Sequence, residues 1–242
     1  MVKLSPVDID VLILCGGLGK RLRPVVSDLP KPMAKIHGSP FLDILIEYVA
    51  SFGFRRFILC CGYMGETIRD YYSAKSIASE IVFCMEKEPL GTGGAIKNAK
   101  PYIKSSHFVV TNGDSFCSVD LADFIKFHIT TRGVMTIALT KVKDENSGKV
   151  LLDKNNKIVR FEEKGQNKSE YYSSVGIYCM EQTVFPFMAN MTKFSLEYDL
   201  IPDLVQQSCY GYVTDKELID IGTPISYNKA QKLFSTGMFP LK

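Results

Sequence analysis

The chain has 242 residues, with 29 Lys and Arg against 26 Asp and Glu and a formal net charge of +3. That surplus is too small to make nucleic acid the expected partner. No apolar run is long enough to span a bilayer, and the N-terminal MVKLSPVDID has no signal-peptide core. The length fits one large α/β domain, and 46% apolar residues are enough for a sizeable core.

Residues 11–14 read as a buried strand that enters a turn containing Gly16, Gly17 and Gly19. Five cations follow, Lys20, Arg21, Arg23, Lys31 and Lys35, opposed only by Asp28. Pro40 and Phe41 open an amphipathic helix to about residue 52, with Phe41, Leu42, Leu45, Ile46 and Val49 on one face. Gly53 ends it. A second strand spans 56–61 and a short helix 65–72. A third strand, 81–85, has the β-branched content of a buried one. A loop at 86–94 precedes a helix through Ala99, and a fourth strand, 108–111, ends at Asn112-Gly113-Asp114. Alternating strands and helices predict right-handed crossovers and a parallel sheet. Ligands bind beyond the carboxyl ends of such strands, so the first turn, the 86–94 loop and Asp114 should meet in one crevice.

The second half changes style. Asp120 caps a helix to about residue 130, and 134–142 is a strand. A hairpin follows at 148–162, turning at Asp153-Lys154-Asn155-Asn156. Further strands are expected at 171–180, 210–214 and 218–221, with a helix at 196–206. Thr223-Pro224 starts a last helix. The expected fold is α/β, a Rossmann-like mixed and mainly parallel sheet flanked by helices in a single domain.

Seven cysteines, mostly in apolar strand-like runs, read as buried free thiols of a reducing cytosol, so the chain is expected to be cytoplasmic. There is no Cys-x-x-Cys pair. His37, His107 and His128 are isolated in sequence, so no zinc site is expected.

Exposed N–H groups of a Gly-rich turn beside fixed cations make a phosphate site, and a nucleoside triphosphate is the first candidate ligand. Two familiar motifs are excluded. A Walker loop needs Gly at position 14 and Ser or Thr at 21, where Leu14 and Arg21 stand. The dinucleotide fingerprint needs a glycine at position 22, which is Leu22, and an acid ending the second strand, where Gly62 follows instead.

The remaining chemical groups each have a plainer alternative. Asp114 at a strand end suits Mg²⁺, but an Asp after Gly is common in turns. Asp220, flanked by Ile219 and Ile221, is a second metal candidate or a structural ion-pair partner. Leu90-Gly91-Thr92-Gly93-Gly94 lets a flat base lie against backbone, or simply starts a helix. Glu163-Lys164 is an anion clamp or a solvated charge run. Gly176 admits a sugar ring or marks a bulge. Glu197 holds sugar hydroxyls, or with Asp199 favours the dipole of a helix capped by Ser195.

Together these segments resemble the sugar-1-phosphate nucleotidyltransferase family. The resemblance is carried by Gly16-Gly17-Leu18-Gly19-Lys20-Arg21-Leu22-Arg23-Pro24, Pro30-Lys31-Pro32-Met33, Leu90-Gly91-Thr92-Gly93-Gly94-Ala95 and Gly113-Asp114. It continues through Glu163-Lys164, Gly176-Ile177-Tyr178, Leu196-Glu197 and Asp220-Ile221-Gly222-Thr223-Pro224. The order is the family's, and it runs from residue 9 to about 235. The resemblance implies a nucleotide-diphospho-sugar transferase fold with a nucleotide-binding half at about 1–115 and a sugar-binding half at about 116–242. No C-terminal β-helix is expected.

The implied reaction joins an NTP and a sugar 1-phosphate to give NDP-sugar and pyrophosphate. The resemblance assigns Arg21 and Lys31 to catalysis. It assigns Leu14, Gly16, Gly17, Gly19, Arg21, Glu86, Gly91, Thr92 and Gly93 to the nucleotide. Asn112, Lys164, Gly176 and Glu197 fall to the sugar phosphate, and Asp114 and Asp220 to Mg²⁺. GTP with a heptose 1-phosphate is the favoured pair. Mannose, glucose or muramyl sugar 1-phosphate with another base is the alternative, and a non-catalytic NDP-sugar sensor is the reading from another class. No membrane or nucleic-acid partner is implied, and a homo-oligomer is left open. One departure stands out: Lys20 occupies the place where the family usually has Thr or Ser, and it either contacts phosphate or points outward.

Overall fold

The structure, a computed structural model, describes residues 5–141, 149–162 and 171–235. Its strands are β1 (Asp10–Leu14), β2 (Lys35–Ile36), β3 (Ser39–Pro40), β4 (Arg56–Cys61), β5 (Glu80–Met85), β6 (His107–Asn112) and β7 (Ser115–Cys117). They continue with β8 (Met135–Lys141), β9 (Lys149–Leu152), β10 (Ile158–Glu162), β11 (Tyr172–Glu181), β12 (Cys209–Val213) and β13 (Leu218–Asp220). The helices are α1 (Phe41–Ser51), α2 (Gly65–Ala74), α3 (Gly91–Ala99), α4 (Leu121–Thr131), α5 (Ile201–Leu204) and α6 (Pro224–Ser235).

The main sheet runs β10-β9-β11-β6-β1-β4-β5, with β8 beside β11 and β12 beside β8. β6, β1, β4 and β5 are parallel. β11 is antiparallel to β6 and β8, so the sheet is mixed as expected. Central strands covered on both faces are apolar throughout. Val11 and Ile13 of β1 pack into one cluster with α1, α2, α4 and α6, while Leu12 faces a second cluster containing residues of α3 and α5. The helices therefore lie on both faces of the sheet. Parallelism brings the carboxyl ends of β1, β4, β5 and β6 to one edge. At the other end of β1, burial would push the Asp10 carboxyl up. The Ser105 N–H, Arg56 and the Lys104 N–H more than offset it and hold the group below the usual carboxylate range.

Several expectations need correction. β5 is an edge strand in which only Cys84 is buried, so its β-branched residues signal strand but not depth. The glycines at 91, 93 and 94 lie inside the first turn of α3, not in a loop before it. The segment 196–206 is a π-type turn at Leu196–Leu200 followed by the short α5, which carries Pro202. The short strands β2, β3 and β7 were not foreseen. Asp120 does cap α4, its side chain accepting from the Asp123 N–H at 3.0 Å. Among the described residues, all seven cysteines are buried and none forms a disulfide, and no helix is long and apolar enough to cross a membrane.

Two of the glycines of α3, Gly91 and Gly93, are required by Phe194. Gly91 has φ +78°, and a Cβ there would stand 2.5 Å from the Phe194 carbonyl oxygen. A Cβ on Gly93 would stand 2.2 Å from the Phe194 ring. Gly91→Ala combines left-handed strain with a backbone clash and is expected to cost at least ~2 kcal/mol. Urea unfolding measures it, and a midpoint equal to wild type would contradict this account.

Candidate active site

The site is built at the carboxyl edge of β1, β5 and β6. A cleft of ≈ 270 Å³ is lined there by Leu14, Gly16, Gly17, Lys31, Glu86, Gly91, Thr92, Asn112 and Asp114. Its floor depends on glycines. A Cβ on Gly16 would sit 2.9 Å from Glu86 Oε1, and one on Gly113 would sit 2.8 Å from the Leu14 carbonyl oxygen. Gly113 N–H donates to that same oxygen at 3.0 Å, which fixes Asn112-Gly113-Asp114 against the end of β1. Gly19, at φ +59°, packs against the Cβ of Lys31.

Glu86 packs directly against the Gly16 turn. Its Oε2 accepts from the Leu90 N–H at 3.3 Å, and burial pushes its carboxyl above the ordinary value. Cys15 also lines the cleft. Burial, reinforced by neighbouring Cys61, Asp114 and Glu86, raises its thiol far above the usual range, so it supplies neither thiolate nor base.

The cations separate. Lys31 Nζ ion-pairs with Asp114 Oδ2 inside the cleft. Arg21 reaches the turn after β13, its Nη2 being 3.4 Å from where a Cβ on Gly222 would stand. Arg23 instead stacks on Tyr63, 4.7 Å from the ring centroid. Lys20 and Lys35 are exposed.

β7 and β13 pair antiparallel with Asp220 opposite Ser115, and the Ile221 N–H donates to the Asp114 carbonyl oxygen at 3.0 Å. Two acids separated by more than a hundred residues in sequence thus stand at adjoining strand ends, Asp114 in the turn just before β7 and Asp220 at the end of β13. Ser226 Oγ donates to Asp220 Oδ1 at 3.3 Å, as does the Gly222 N–H. Ser226 was missed in the sequence. Its signal was the Thr223-Pro-x-Ser226 cap, in which the Ser226 N–H donates to Thr223 Oγ1 at 3.1 Å.

On the other side, Glu197 is held by three hydroxyl groups. Tyr178 Oη donates to its Oε1 at 3.0 Å, while Thr92 Oγ1 and Ser195 Oγ donate to its Oε2 at 2.8 and 3.0 Å. Thr92 is therefore shared between the cleft and the Glu197 segment. Gly176, at φ +76°, lies where the pairing of β11 with β8 slips between Ser174 and Tyr178. A Cβ there would meet the Asn112 amide at 2.6 Å. Glu163 and Lys164 lie outside the described residues.

The family model for nucleotidyl transferases matches residues 10–236. The chain belongs to the nucleotidyl transferase family. Within this nucleotidyltransferase family it is 38% identical over 224 residues to a D-glycero-alpha-D-manno-heptose 1-phosphate guanylyltransferase of Aneurinibacillus thermoaerophilus, covering 92% of this chain and 97% of that one. It is 36% identical to the protein of the same name in Campylobacter jejuni, covering 89% and 96%. HddC of Yersinia pseudotuberculosis, solved with GMP-PN, superposes with a TM-score of 0.81 at 37% identity, over 93% of this nucleotidyltransferase and 99% of HddC. A glucose-1-phosphate thymidylyltransferase structure from Bacillus anthracis shares the fold at a TM-score of 0.81 and 19% identity.

Proposed function

We propose that this nucleotidyltransferase transfers GMP from GTP to D-glycero-α-D-manno-heptose 1-phosphate, giving the GDP-heptose and pyrophosphate in the cytoplasm. The observation that carries the choice of base is the half-buried carboxylate of Glu86 in the cleft. Guanine presents two adjacent donors, N1–H and N2–H₂, which match the two oxygens of a carboxylate. Adenine, cytosine and uracil do not offer that pair. The full-length likeness to two heptose 1-phosphate guanylyltransferases supports the choice of sugar.

In this reading a sugar phosphate oxygen attacks the α-phosphorus. The bond from that phosphorus to the bridging oxygen breaks, and pyrophosphate leaves with the electron pair. A phosphate monoester has a second pKa of ~6, so the nucleophile is ionised at neutral pH and no general base is needed. That agrees with a cleft whose thiol is held neutral by burial. The remaining barrier is repulsion between anions and charge build-up at phosphorus. Lys31 and Arg21 neutralise the triphosphate and the departing pyrophosphate. Asn112, Gly176 and Glu197 orient the sugar, with Lys164 assigned to its phosphate.

Asp114 and Asp220 are the residues that would hold Mg²⁺. Two carboxylates at adjoining strand ends would supply an all-oxygen donor pair of the kind a hard ion takes. When bound, the ion supplies charge neutralisation to the phosphate oxygens.

The test is pyrophosphate release with Mg²⁺ for the common NTPs crossed with a panel of sugar 1-phosphates. GTP with the heptose phosphate should be the best pair. Glu86→Gln should lower kcat/KM for GTP about tenfold to a hundredfold, the loss of a charge-assisted bond pair. It should change the other NTPs far less. An unchanged GTP preference would remove Glu86 as the base reader, and a different best pair would overturn the substrate assignment.

A further inference from the structure

A second cluster of chemically competent groups lies far from the cleft. His107 opens β6, whose other end is Asn112, so the cluster and the active site are about 16 Å apart along that strand. His128 comes from α4 and is fully buried, and Glu181 ends β11. The antiparallel register places Glu181 opposite His107. The histidines are isolated in sequence, but the fold brings them together. His107 Nδ1 and His128 Nε2 are 3.3 Å apart, and Glu181 Oε1 is 3.9 Å from His107 Nδ1. All three ligand atoms lie within 4.8 Å of one another.

We propose that His107 Nδ1, His128 Nε2 and Glu181 Oε1 form a binding site for a divalent transition metal of the zinc class, separate from the nucleotide cleft. Two nitrogens at ~2.0–2.1 Å from one tetrahedral Zn²⁺ stand about 3.3 Å apart, which is the separation found here. Two imidazoles and one carboxylate are also a donor set for an ion of borderline softness, unlike the all-oxygen pair Asp114 and Asp220.

Outer partners orient the ligands. The tautomer of His128 that donates Nδ1–H to Thr136 Oγ1, at 2.8 Å, leaves Nε2 with its lone pair toward His107. Thr183 Oγ1 donates to Glu181 Oε2 at 3.1 Å, leaving Oε1 for the cluster. The side chains of His107 and Glu181 are 18% and 28% exposed, so an ion can enter from solvent and a water can complete the shell. A bound metal would tie α4 to the ends of β6 and β11. The competing arrangement is a hydrogen-bonded chain from His107 Nδ1 through the His128 ring to Thr136, with Glu181 beside His107, which needs no metal.

The test uses the full chain after chelator treatment, titrated with Co²⁺ and followed by visible absorption. One equivalent should bind with the intense bands of a tetrahedral nitrogen-containing site and be displaced by Zn²⁺. The signal should persist in Asp114→Asn, which excludes the cleft. Binding should weaken more than about tenfold in His107→Gln and in Glu181→Gln, two partly exposed positions. Far-ultraviolet circular dichroism of both variants keeps a folding defect distinguishable from ligand loss. Zn²⁺ should raise the Tm of Asp114→Asn but not of Asp114→Asn/His107→Gln. No tetrahedral signal, or equal binding by folded His107→Gln, would overturn the site and leave the hydrogen-bonded chain.

Discussion

Asp114→Asn is expected to lower pyrophosphate release by at least ~10²–10³-fold while thermal unfolding stays close to wild type. The exchange keeps the size of the side chain and an acceptor for the Ser115 hydroxyl, which donates to Asp114 Oδ1 at 3.1 Å. The backbone bonds that fix the strand end, Gly113 N–H to Leu14 O and Ile221 N–H to Asp114 O, do not involve the side chain. What disappears is one negative charge at the edge where the triphosphate is expected. The measurement is a steady-state assay beside a melting curve. Wild-type turnover in a folded variant would remove Asp114 from the chemistry. Loss of both activity and folding would show that its ion pair with Lys31 is structural.

Lys31→Ala should be nearly as severe in kcat, again ~10²–10³-fold, with little change in KM for the sugar phosphate. A cation aimed at charge that develops on the leaving pyrophosphate acts in the transition state and adds little to ground-state binding of the other substrate. Lys31 sits at the lip of a short 3₁₀ turn, Lys31–Met33, whose Pro32 and Met33 are buried. Truncation of the side chain leaves that anchor intact. The geometry adds a second expectation about the same variant. Asp114 loses the ammonium that contacts it, so free Mg²⁺ should bind the nucleotide-free variant more tightly than it binds wild type. Equal kcat in Lys31→Ala would remove the residue from the mechanism.

Much of the fold was legible because local signals agreed with tertiary context. The helix Phe41–Ser51 had its apolar face, and the strand Arg56–Cys61 its unbroken apolar run between turn residues. Asp120 was readable as a cap because the capping bond is made within four residues. The start of α3 was misplaced because three glycines in a helix are poor helix formers. The reason for them lies mainly in the segment around Thr192 and Phe194, about a hundred residues away. β5 was read as buried because its composition reports a strand, and which strand stands at the edge is decided by topology.

The site was legible as a set of residues but not as a constellation. That Asp114 and Asp220 stand at adjoining strand ends depends on β7, three residues long and without a periodic pattern. Likewise His107 and His128 read as unrelated, because a strand start and a helix end meet only once α4 packs on the sheet.

Thr92 has a consequence that reaches beyond its own contacts. Its hydroxyl donates to Glu197 at 2.8 Å and accepts from the Leu196 N–H at 2.8 Å, while the N–H groups of Gly93 and Gly94 both donate to the Phe194 carbonyl. The turn beneath the expected nucleotide and the segment beneath the expected sugar are fastened into one body. If the nucleotide seats on the first and the sugar on the second, neither substrate binds to an indifferent partner surface. Thermodynamic linkage then makes the influence mutual: the factor by which the nucleotide alters affinity for the sugar phosphate equals the factor by which the sugar phosphate alters affinity for the nucleotide.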